Sequence, residues 1–315
     1  KGYLHEALGV RVPVTGTNNY FSLASIASQA TIDFVDAHAY WQHPQFPRVL
    51  WSPTDWYIGN TPMVGDGAGG TIARLSLSPV AGRPFTVTEY NHPFPNRYQA
   101  EAPLMVSAYA CLQDWDAVLL FSYHNSRLDW ERGYVARWFD VGGNPVLMGL
   151  MPAASRLFLR RDVRAAERFV GIVHTEEETL DSVRRHGRTT TFSVEGVPVQ
   201  LPLVHGVRRE TFSGNRSRAA AEYGLENITA PYVSDTGELR WDPSRGLFTV
   251  DTPRSQGAVG LLSTGRVDLS NLSLACSTGF AAVVLTALDG GAIGSPGSML
   301  LTAVARAENT GMVWN

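Results

Sequence analysis

A carboxylate at the end of a short β-rich run is the most informative feature of this sequence. The run is Phe85–Thr88, and Glu89 follows it directly, with a tyrosine, an asparagine and His92 after it. Two prolines then prevent regular structure from continuing. Strands end in this way when the loop after them carries chemistry. Glu89 is therefore the first candidate for a catalytic carboxylate.

Three other segments share this plan, with apolar residues first and polar or aromatic residues last. They are Val12–Asn18, Ile32–Trp41 and Ala117–Asn125. Helices are predicted in the connections, at Tyr20–Gln29, Ala68–Leu77 and Asn96–Gln113. Strands that alternate with helices pair in parallel through crossover connections. Functional groups at the C-terminal ends of successive strands are typical of the active face of a (β/α)-barrel.

Four short motifs at these strand ends resemble strands five to eight of the clan-A retaining glycoside hydrolases. The motifs are Thr-Gly-Thr-Asn at 15–18, Asp-Ala-His-Ala-Tyr-Trp at 36–41, Thr-Glu-Tyr-Asn at 88–91 and Phe-Ser-Tyr at 121–123. That clan is a large (β/α)8-barrel group that includes many cellulases, xylanases and mannanases. The resemblance covers about residues 1–150, which are predicted as the C-terminal half of a TIM barrel. It implies that Glu89 is the nucleophile and that His38 or Tyr40 touches it.

The chain departs from the clan's pattern because it contains no Asn-Glu pair. In the clan the general acid/base is a Glu preceded by Asn at the end of strand four. Residues 1–9 read as the end of the helix that would follow that strand, with Gly9 as its C-terminal stop. A full barrel needs eight strands and about 250 residues. The N-terminal half, with the acid/base, is therefore expected on the same or a companion chain.

This interpretation carries expectations about the chain by itself. Strands Val12–Asn18 and Ala117–Asn125 should each have a neighbour that this sequence does not supply, because buried parallel strands are paired on both sides. The 315-residue chain alone should be insoluble or inactive. Adding the upstream segment should restore hydrolysis with retention of anomeric configuration. An active 315-residue chain would require an acid within it, with Asp36 the first to test.

The composition is that of a globular protein with a large core. Hydrophobic residues make up 44% of the chain and charged residues 17%. A net charge of −3 and a pI near 6.3 give no electrostatic case for binding nucleic acid or an anionic membrane. No apolar stretch reaches the ~20 residues that span a bilayer. Cys111 is expected as a buried free thiol rather than in a bridge to Cys276. No metal or other cofactor is predicted, and the predicted location is secreted or periplasmic.

Residues 151–315 are predicted to form a linker and a mainly antiparallel β-sandwich. Phe169–His174 reads as a strand, and Thr175–His186 as a helix with Thr175 and Glu178 in a capping box. Beyond Thr189, short strands between turn signals are predicted at Pro231–Leu239, Gly246–Asp251, Val259–Leu262, Leu269–Ala275, Phe280–Ala287 and Met299–Ala305. Such a sandwich could brace the barrel or bind sugar.

The chemistry of glycosidic cleavage predicts which side chains should surround Glu89. In the retaining case two carboxyl groups lie about 5–5.5 Å apart, one attacking the anomeric carbon and one protonating the leaving oxygen. The nucleophile must stay ionised, so hydrogen-bond donors should face it. The candidate donors are Asn18, His38, Tyr40 and Asn91. Asp36 shares a strand face with His38 and Tyr40 and is a second candidate for a charged site residue.

Aromatic side chains offer flat faces on which sugar rings stack. The candidates are Trp41, Trp51, Trp56, Tyr57, Tyr90, Tyr123 and Trp130. The loop Gln42–Gly70 is the predicted wall of an extended cleft, and Tyr123 rather than His124 is expected to face the interior. Structural roles remain open for several of these residues. His38 could be a core histidine, Trp41 could simply pack, and Asn18 could cap the following helix.

Two functions of different classes follow from these residues and the resemblance. The first is a retaining glycoside hydrolase, endo-acting on a β-1,4-linked plant polysaccharide such as glucan or xylan. The second is a non-catalytic carbohydrate-binding or scaffolding protein on the same barrel. An enzyme of the same barrel class with another substrate, such as an arabinofuranosidase, is a third reading. In each case the expected partner is a polysaccharide or oligosaccharide.

Overall fold

The computed structural model describes residues 1–18, 22–124, 131–186, 196–216, 228–295 and 297–314. Helices within these ranges are α1 Leu23–Gln29, α2 Gly70–Ser76, α3 Glu101–Leu112, α4 Pro145–Leu159 and α5 Glu176–His186. The strands are β1 Val35–Tyr40, β2 Phe85–Asn91, β3 Ala117–Leu120, β4 Phe169–Thr175, β5 Gly206–Gly214, β6 Tyr232–Val233, β7 Leu239–Asp242, β8 Leu247–Asp251, β9 Ser255–Gly260, β10 Val267–Asp268, β11 Ser273–Leu274, β12 Ala281–Ala287 and β13 Met299–Val304. The predicted residues Tyr20, Asn125, Trp130 and Thr189 lie outside the described ranges.

A parallel sheet in the order β1-β2-β3 forms the first part of the chain. Three of the four segments predicted as strands are present in it, in parallel and in one sheet, as expected. The helices α1, α2 and α3 follow the predicted connections, with later starts than the sequence indicated. The chain also begins with a helical turn at Tyr3–Ala7 that stops before Gly9, whose φ is 66°.

The prediction of a fourth strand at Val12–Asn18 is wrong. This segment passes the start of β1 without forming regular strand pairs. Side chains form hydrogen bonds with its backbone N–H groups instead. The Asp33 carboxylate accepts from the Val14 N–H at 2.9 Å, and the Gln29 side-chain oxygen accepts from the Gly16 N–H at 3.1 Å. Pro13 adds a position with no N–H to donate. Hydrogen bonds to the side chains of Asp33 and Gln29 therefore replace strand pairing here.

Helix α3 lies between the parallel sheet and a second, antiparallel sheet. All of its residues are buried, as expected for a helix that is apolar all round. Ala102, Val106 and Ala110 pack with β1 and β2, whereas Tyr109 and Leu112 pack with Trp241 and Phe248 of the second sheet. Helix α4 covers the same sheet and runs continuously through residue 150.

The antiparallel sheet has the strand order β13-β12-β9-β8-β7-β6, which confirms the prediction of short antiparallel strands in this part of the chain. The sandwich prediction needs correction, because helices α3 and α4 cover one face. On another face the hairpin β10-β11 closes a smaller cluster around Leu247, Leu262 and Leu274. Long apolar helices are an alternative second layer for a sheet, and α3 and α4 take that position.

A parallel β4-α5-β5 unit lies between these two sheets in sequence. The strand β4 and the helix α5 were predicted, whereas β5 and the parallel pairing were not. Its helix begins with the predicted capping box. The Glu178 carboxylate accepts from the Thr175 N–H at 2.8 Å, and the Thr175 hydroxyl accepts from the Glu178 N–H at 3.1 Å. A parallel bridge from Val80 to Arg209 joins this unit to the segment after α2.

Two further observations bear on the sequence predictions. Cys111 is a buried free thiol, as predicted, and Cys276 is also free. No helix in the described part of the chain is both long and apolar enough to cross a membrane.

Candidate active site

Strand β1 presents its polar residues to one side and its apolar residues to the other. Val35 and Ala37 are buried in the core with α1 and α3. Asp36, His38 and Tyr40 alternate with them and therefore share the opposite face. This confirms the strand-face prediction for the three polar residues.

Strand β2 contains one extra residue beside this polar face. Asp36 pairs with Thr86, but His38 pairs with Glu89, so that two steps along β1 match three steps along β2. The third strand, β3, meets the same irregularity in β2. A bulge of this kind interrupts the alternation of side chains and is common next to active sites. Both Thr88 and Glu89 therefore reach His38.

Two side chains of β1 meet at one carboxylate oxygen of Glu89. The Tyr40 hydroxyl donates to Glu89 Oε2, and His38 Nδ1 lies 3.2 Å from the same oxygen. The Glu89 side chain remains 30% exposed. Among the described residues, Oε1 accepts no hydrogen bond, so this oxygen is open toward solvent. The carboxylate is thus oriented by the protein on one side and accessible on the other.

Asp36 is the second carboxylate on this face, and it is closed to solvent. It is 2% exposed and accepts from the Thr86 hydroxyl at 2.6 Å, the Thr88 hydroxyl at 2.6 Å and the Thr88 N–H at 3.1 Å. Burial works to raise the pKa of Asp36, but hydrogen bonds from His38, Thr86 and Thr88 outweigh it and hold the pKa below its usual range. An ionised, enclosed Asp36 cannot protonate a sugar oxygen, which argues against it as the acid.

The side chain of Tyr40 is held by contacts with neighbouring aromatic rings as well as by its hydrogen bond to Glu89. Its ring lies 4.9 Å from Phe139 and 5.3 Å from His43, between ring centroids. Burial, together with the hydrogen bond to Glu89, raises the pKa of Tyr40 well above its ordinary value. The hydroxyl therefore stays protonated and acts as a donor throughout the physiological pH range.

If the chain hydrolyses glycosides, as the sequence predicts, Tyr40→Phe should lower kcat/KM for an aryl glycoside by about 10- to 100-fold. The change leaves the ring contacts in place and removes one hydrogen bond to a charged group, which is worth about 1.5–3 kcal/mol. Tyr134→Phe is the matched control, since Tyr134 is 55% exposed and far along the chain from Glu89. Equal rates for Tyr40→Phe and the parent protein would show that this hydroxyl does not support the reaction.

A wall of aromatic rings extends from Tyr40 into the loop after β1. His43 lies 5.6 Å from Trp51, and Trp51 lies 6.2 Å from Trp138. Trp138 in turn contacts Trp56 at 5.4 Å. A cavity of about 450 Å³ continues from these last two rings to Tyr57 and Trp314. The predicted loop wall is therefore paired with a segment, residues 135–139, that the sequence analysis did not single out.

The remaining candidates lie at different distances from this cluster. Asn91 is buried, and its amide donates to the Phe121 and Phe139 carbonyls at 2.6 and 3.0 Å. It therefore fixes the backbone behind Tyr40 instead of facing Glu89. Trp41 donates to the Thr61 carbonyl at 2.8 Å and packs on the core. Tyr123 is 50% exposed after β3. Asn18 is exposed, and none of the contacts of Glu89 within the described residues involves it.

The sequence analysis missed the two threonines that bind Asp36. Thr86 and Thr88 are ordinary strand residues by composition, and only the alternation Thr86, Thr88 opposite Asp36 and His38 could have suggested a role. Phe139 and Trp138 were also missed, because the segment that carries them has no recognisable strand pattern.

Two further findings complete the description of the site. Within the described ranges, no three His, Cys, Asp or Glu side chains converge as a metal-binding group. Comparison of the chain with protein-family models, curated proteins and solved structures finds no match in any of the three.

Proposed function

We propose that this protein is a retaining glycoside hydrolase in which Glu89 is the nucleophile. The observation that carries the proposal is the environment of that carboxylate. The Tyr40 hydroxyl donates to Oε2 and the His38 ring lies 3.2 Å from the same oxygen, whereas Oε1 accepts no hydrogen bond from the described residues. A nucleophile needs this asymmetry, because donors keep it ionised and oriented while one oxygen stays free to attack.

The reaction follows from this geometry in two steps. Oε1 of Glu89 attacks the anomeric carbon, the bond from that carbon to the leaving oxygen breaks, and a glycosyl ester forms. A carboxylic acid protonates the leaving oxygen; the resemblance to clan A implies that this acid is a Glu on strand four. Water then attacks the anomeric carbon, gives its proton to the same group and releases Glu89, so that the configuration is retained.

The substrate we propose is a β-1,4-linked polysaccharide, cleaved internally. The support is the row of rings from Tyr40 through His43, Trp51 and Trp138 to Trp56. A row of aromatic rings suits an oligosaccharide better than a single sugar, because each sugar unit has an apolar face that can stack on a ring. The parallel β1-β2-β3 sheet is accordingly proposed as part of a (β/α)8 barrel, and a secreted or periplasmic location fits such a substrate.

Covalent trapping tests the assignment directly. A 2-deoxy-2-fluoro β-cellobioside or β-xylobioside with a dinitrophenyl leaving group needs no protonation to react, so the experiment does not depend on which residue is the acid. We expect the glycosyl group to accumulate on the peptide that contains Glu89, as measured by mass spectrometry. Glu6→Gln, an exposed matched change, should still be labelled. Labelling of another carboxylate, or release of dinitrophenol without labelling, would refute the assignment.

A non-catalytic carbohydrate-binding protein is the second candidate, and one observation favours it. Asp36, the other carboxylate on the polar face of β1, is enclosed and saturated by donors. If no acid joins Glu89 from another segment, natural glycans would bind along the aromatic rings without being cleaved. Binding of cello- or xylo-oligosaccharides without labelling of Glu89 would favour this candidate.

A further inference from the structure

A cavity lies at the far end of the row of rings that begins at Tyr40. Its volume is about 450 Å³, which is within the range of ~300–1,000 Å³ that is typical of small-molecule sites. Trp138 and Trp56 are the last two rings of the row, and both also line this cavity. A ligand chain that follows the row of rings from Tyr40 therefore reaches the cavity next.

Residues 306–314, which follow β13, supply another wall of the cavity. Asn309, Met312 and Trp314 of this segment line it. The Asn309 side-chain oxygen accepts from the Val135 N–H at 2.9 Å, and the Asn309 amide donates to the Val135 carbonyl at 2.8 Å. Val135 also lines the cavity and lies close in sequence to Trp138. Segment 306–314 is therefore joined by two hydrogen bonds to the wall that carries Trp138.

Trp314 is supported from outside the cavity. The Arg97 guanidinium lies over the Trp314 ring, 4.8 Å from its centroid, and a contact of this kind is attractive. Arg97 also forms an ion pair with Glu308 at 2.9 Å. Because Arg97 does not line the cavity, the Trp314 ring meets the cavity with a surface that the cation leaves uncovered. The ring is thus positioned before any ligand arrives, which lowers the entropic cost of binding.

The side chains that line the cavity suit a neutral ligand with apolar faces. Among the described residues that line it, Arg137 is the one charged side chain, and no carboxylate is present to hold a cation. Arg137 is exposed, and its guanidinium can donate to hydroxyl oxygens. Trp56, Trp138 and Trp314 offer flat apolar surfaces for stacking. Pyranose rings, with apolar faces and hydroxyl groups at their edges, match this combination.

We propose that Trp56, Trp138 and Trp314 form a distal subsite for a β-1,4-linked glycan, at which segment 306–314 holds the part of the ligand that extends beyond Glu89 and Tyr40. The proposal names a further binding site for the same class of ligand and rests on the proposed function. It gives the chain beyond β13 a direct role in binding the polysaccharide, in addition to any role in bracing the parallel sheet.

Fluorine NMR of protein labelled with 5-fluorotryptophan tests the subsite without any need for turnover. Signals are assigned by their disappearance in Trp56→Phe, Trp138→Phe and Trp314→Phe. The labelled protein carries Glu89→Gln, so that hydrolysis does not consume the ligand. We expect cellohexaose or xylohexaose to shift the signals of Trp56 and Trp314. Trp115 is fully buried in the core, and its signal should stay unchanged.

Isothermal titration calorimetry in the same Glu89→Gln protein measures what Trp314 contributes to affinity. Trp314→Ala should raise the Kd for the hexasaccharide by about tenfold or more, as truncation of a central interface Trp commonly does. Trp314→Phe keeps an aromatic face and should stay within about threefold. Phe169→Ala is the matched control, because Arg208 lies over that ring at 4.7 Å, and it should leave the Kd unchanged. If Trp314→Ala does not fold, the fluorine shifts and Trp314→Phe still test the proposal.

The possible outcomes separate the subsite from the hydrolase. An unchanged Trp314 signal with both hexasaccharides, or a Kd for Trp314→Ala equal to that of the protein with Trp314, would overturn the subsite. Trapping of Glu89 by the fluoroglycoside would in that case retain the hydrolase. A shifted Trp314 signal in a protein whose Glu89 is not trapped would reject the hydrolase and retain the subsite, as expected for the carbohydrate-binding candidate.

Discussion

Glu89→Gln should lower turnover of a dinitrophenyl β-glycoside by roughly a thousandfold or more. The amide has the size of the carboxylate but is not a nucleophile, so the proposed glycosyl ester cannot form. The fold should persist, because Glu89 is partly exposed and its two partners, Tyr40 and His38, meet a side chain of the same shape. Initial rates at saturating and at low substrate give the effect, and circular dichroism with thermal unfolding checks the fold.

Chemical rescue separates loss of the nucleophile from any other damage. In Glu89→Ala the space beside the anomeric carbon is open, so added azide should attack it, displace dinitrophenolate and give the α-glycosyl azide from a β-glycoside. Glu6→Gln should behave as the parent protein, since Glu6 is exposed. Activity of Glu89→Gln within about tenfold of the parent would remove Glu89 from the mechanism.

The strands that carry the site could be predicted from the sequence because their alternation is unambiguous. Strand β1 alternates between apolar residues, Val35, Ala37 and Ala39, and polar residues, Asp36, His38 and Tyr40. This alternation predicts a strand with one face in the core and the other face outside it. Helix α3 was predictable for the opposite reason, since a run of apolar residues this long has to be enclosed on every side. Both features depend only on local sequence.

The bulge in β2 could not be predicted in the same way. Strict alternation would direct Thr88 and Glu89 to opposite faces, yet both contact His38. The extra residue is accommodated by pairing with β1 and β3 together, which is a property of the sheet and not of the segment. The hydrogen bonds that connect Asp36, Thr88 and His38 depend on this bulge. They could not be predicted from the sequence for that reason.

The strand predicted wrongly at Val12–Asn18 and the parallel pairing of β4 with β5, which was not predicted, have a common physical cause. Val12–Asn18 has a strand-like composition, but the side chains of Gln29 and Asp33 bind its backbone first. Strands β4 and β5 pair in parallel although neighbouring short strands pair antiparallel, because α5 provides a crossover between them. In both cases contacts distant in sequence override local propensity.

The largest loss of stability is expected from Trp241→Ala. Trp241 is fully buried in β7, 5.9 Å from Tyr109 of α3 and 6.4 Å from Phe248, between ring centroids. Its indole N–H also donates to the Val64 carbonyl at 2.7 Å. Truncating a buried Trp destabilises proteins by about 3–5 kcal/mol, which is a large part of the 5–15 kcal/mol typical of a domain. Urea unfolding followed by circular dichroism measures the change.

Trp241 should also couple the two sheets, because its partner Tyr109 lies on α3, and Ala102 and Val106 of the same helix pack with the parallel sheet. The free energy of unfolding should therefore fall for both sheets together, with fluorescence and circular dichroism giving the same midpoint. Trp241→Phe keeps most of the volume and isolates the hydrogen bond, so it should lose only about 1–2 kcal/mol. Trp56→Ala is the control, since Trp56 is only half-buried and should change the free energy by less than about 1 kcal/mol. A Trp241→Ala protein in which the parallel sheet unfolds at the parent's midpoint would show that α3 does not transmit stability between the sheets.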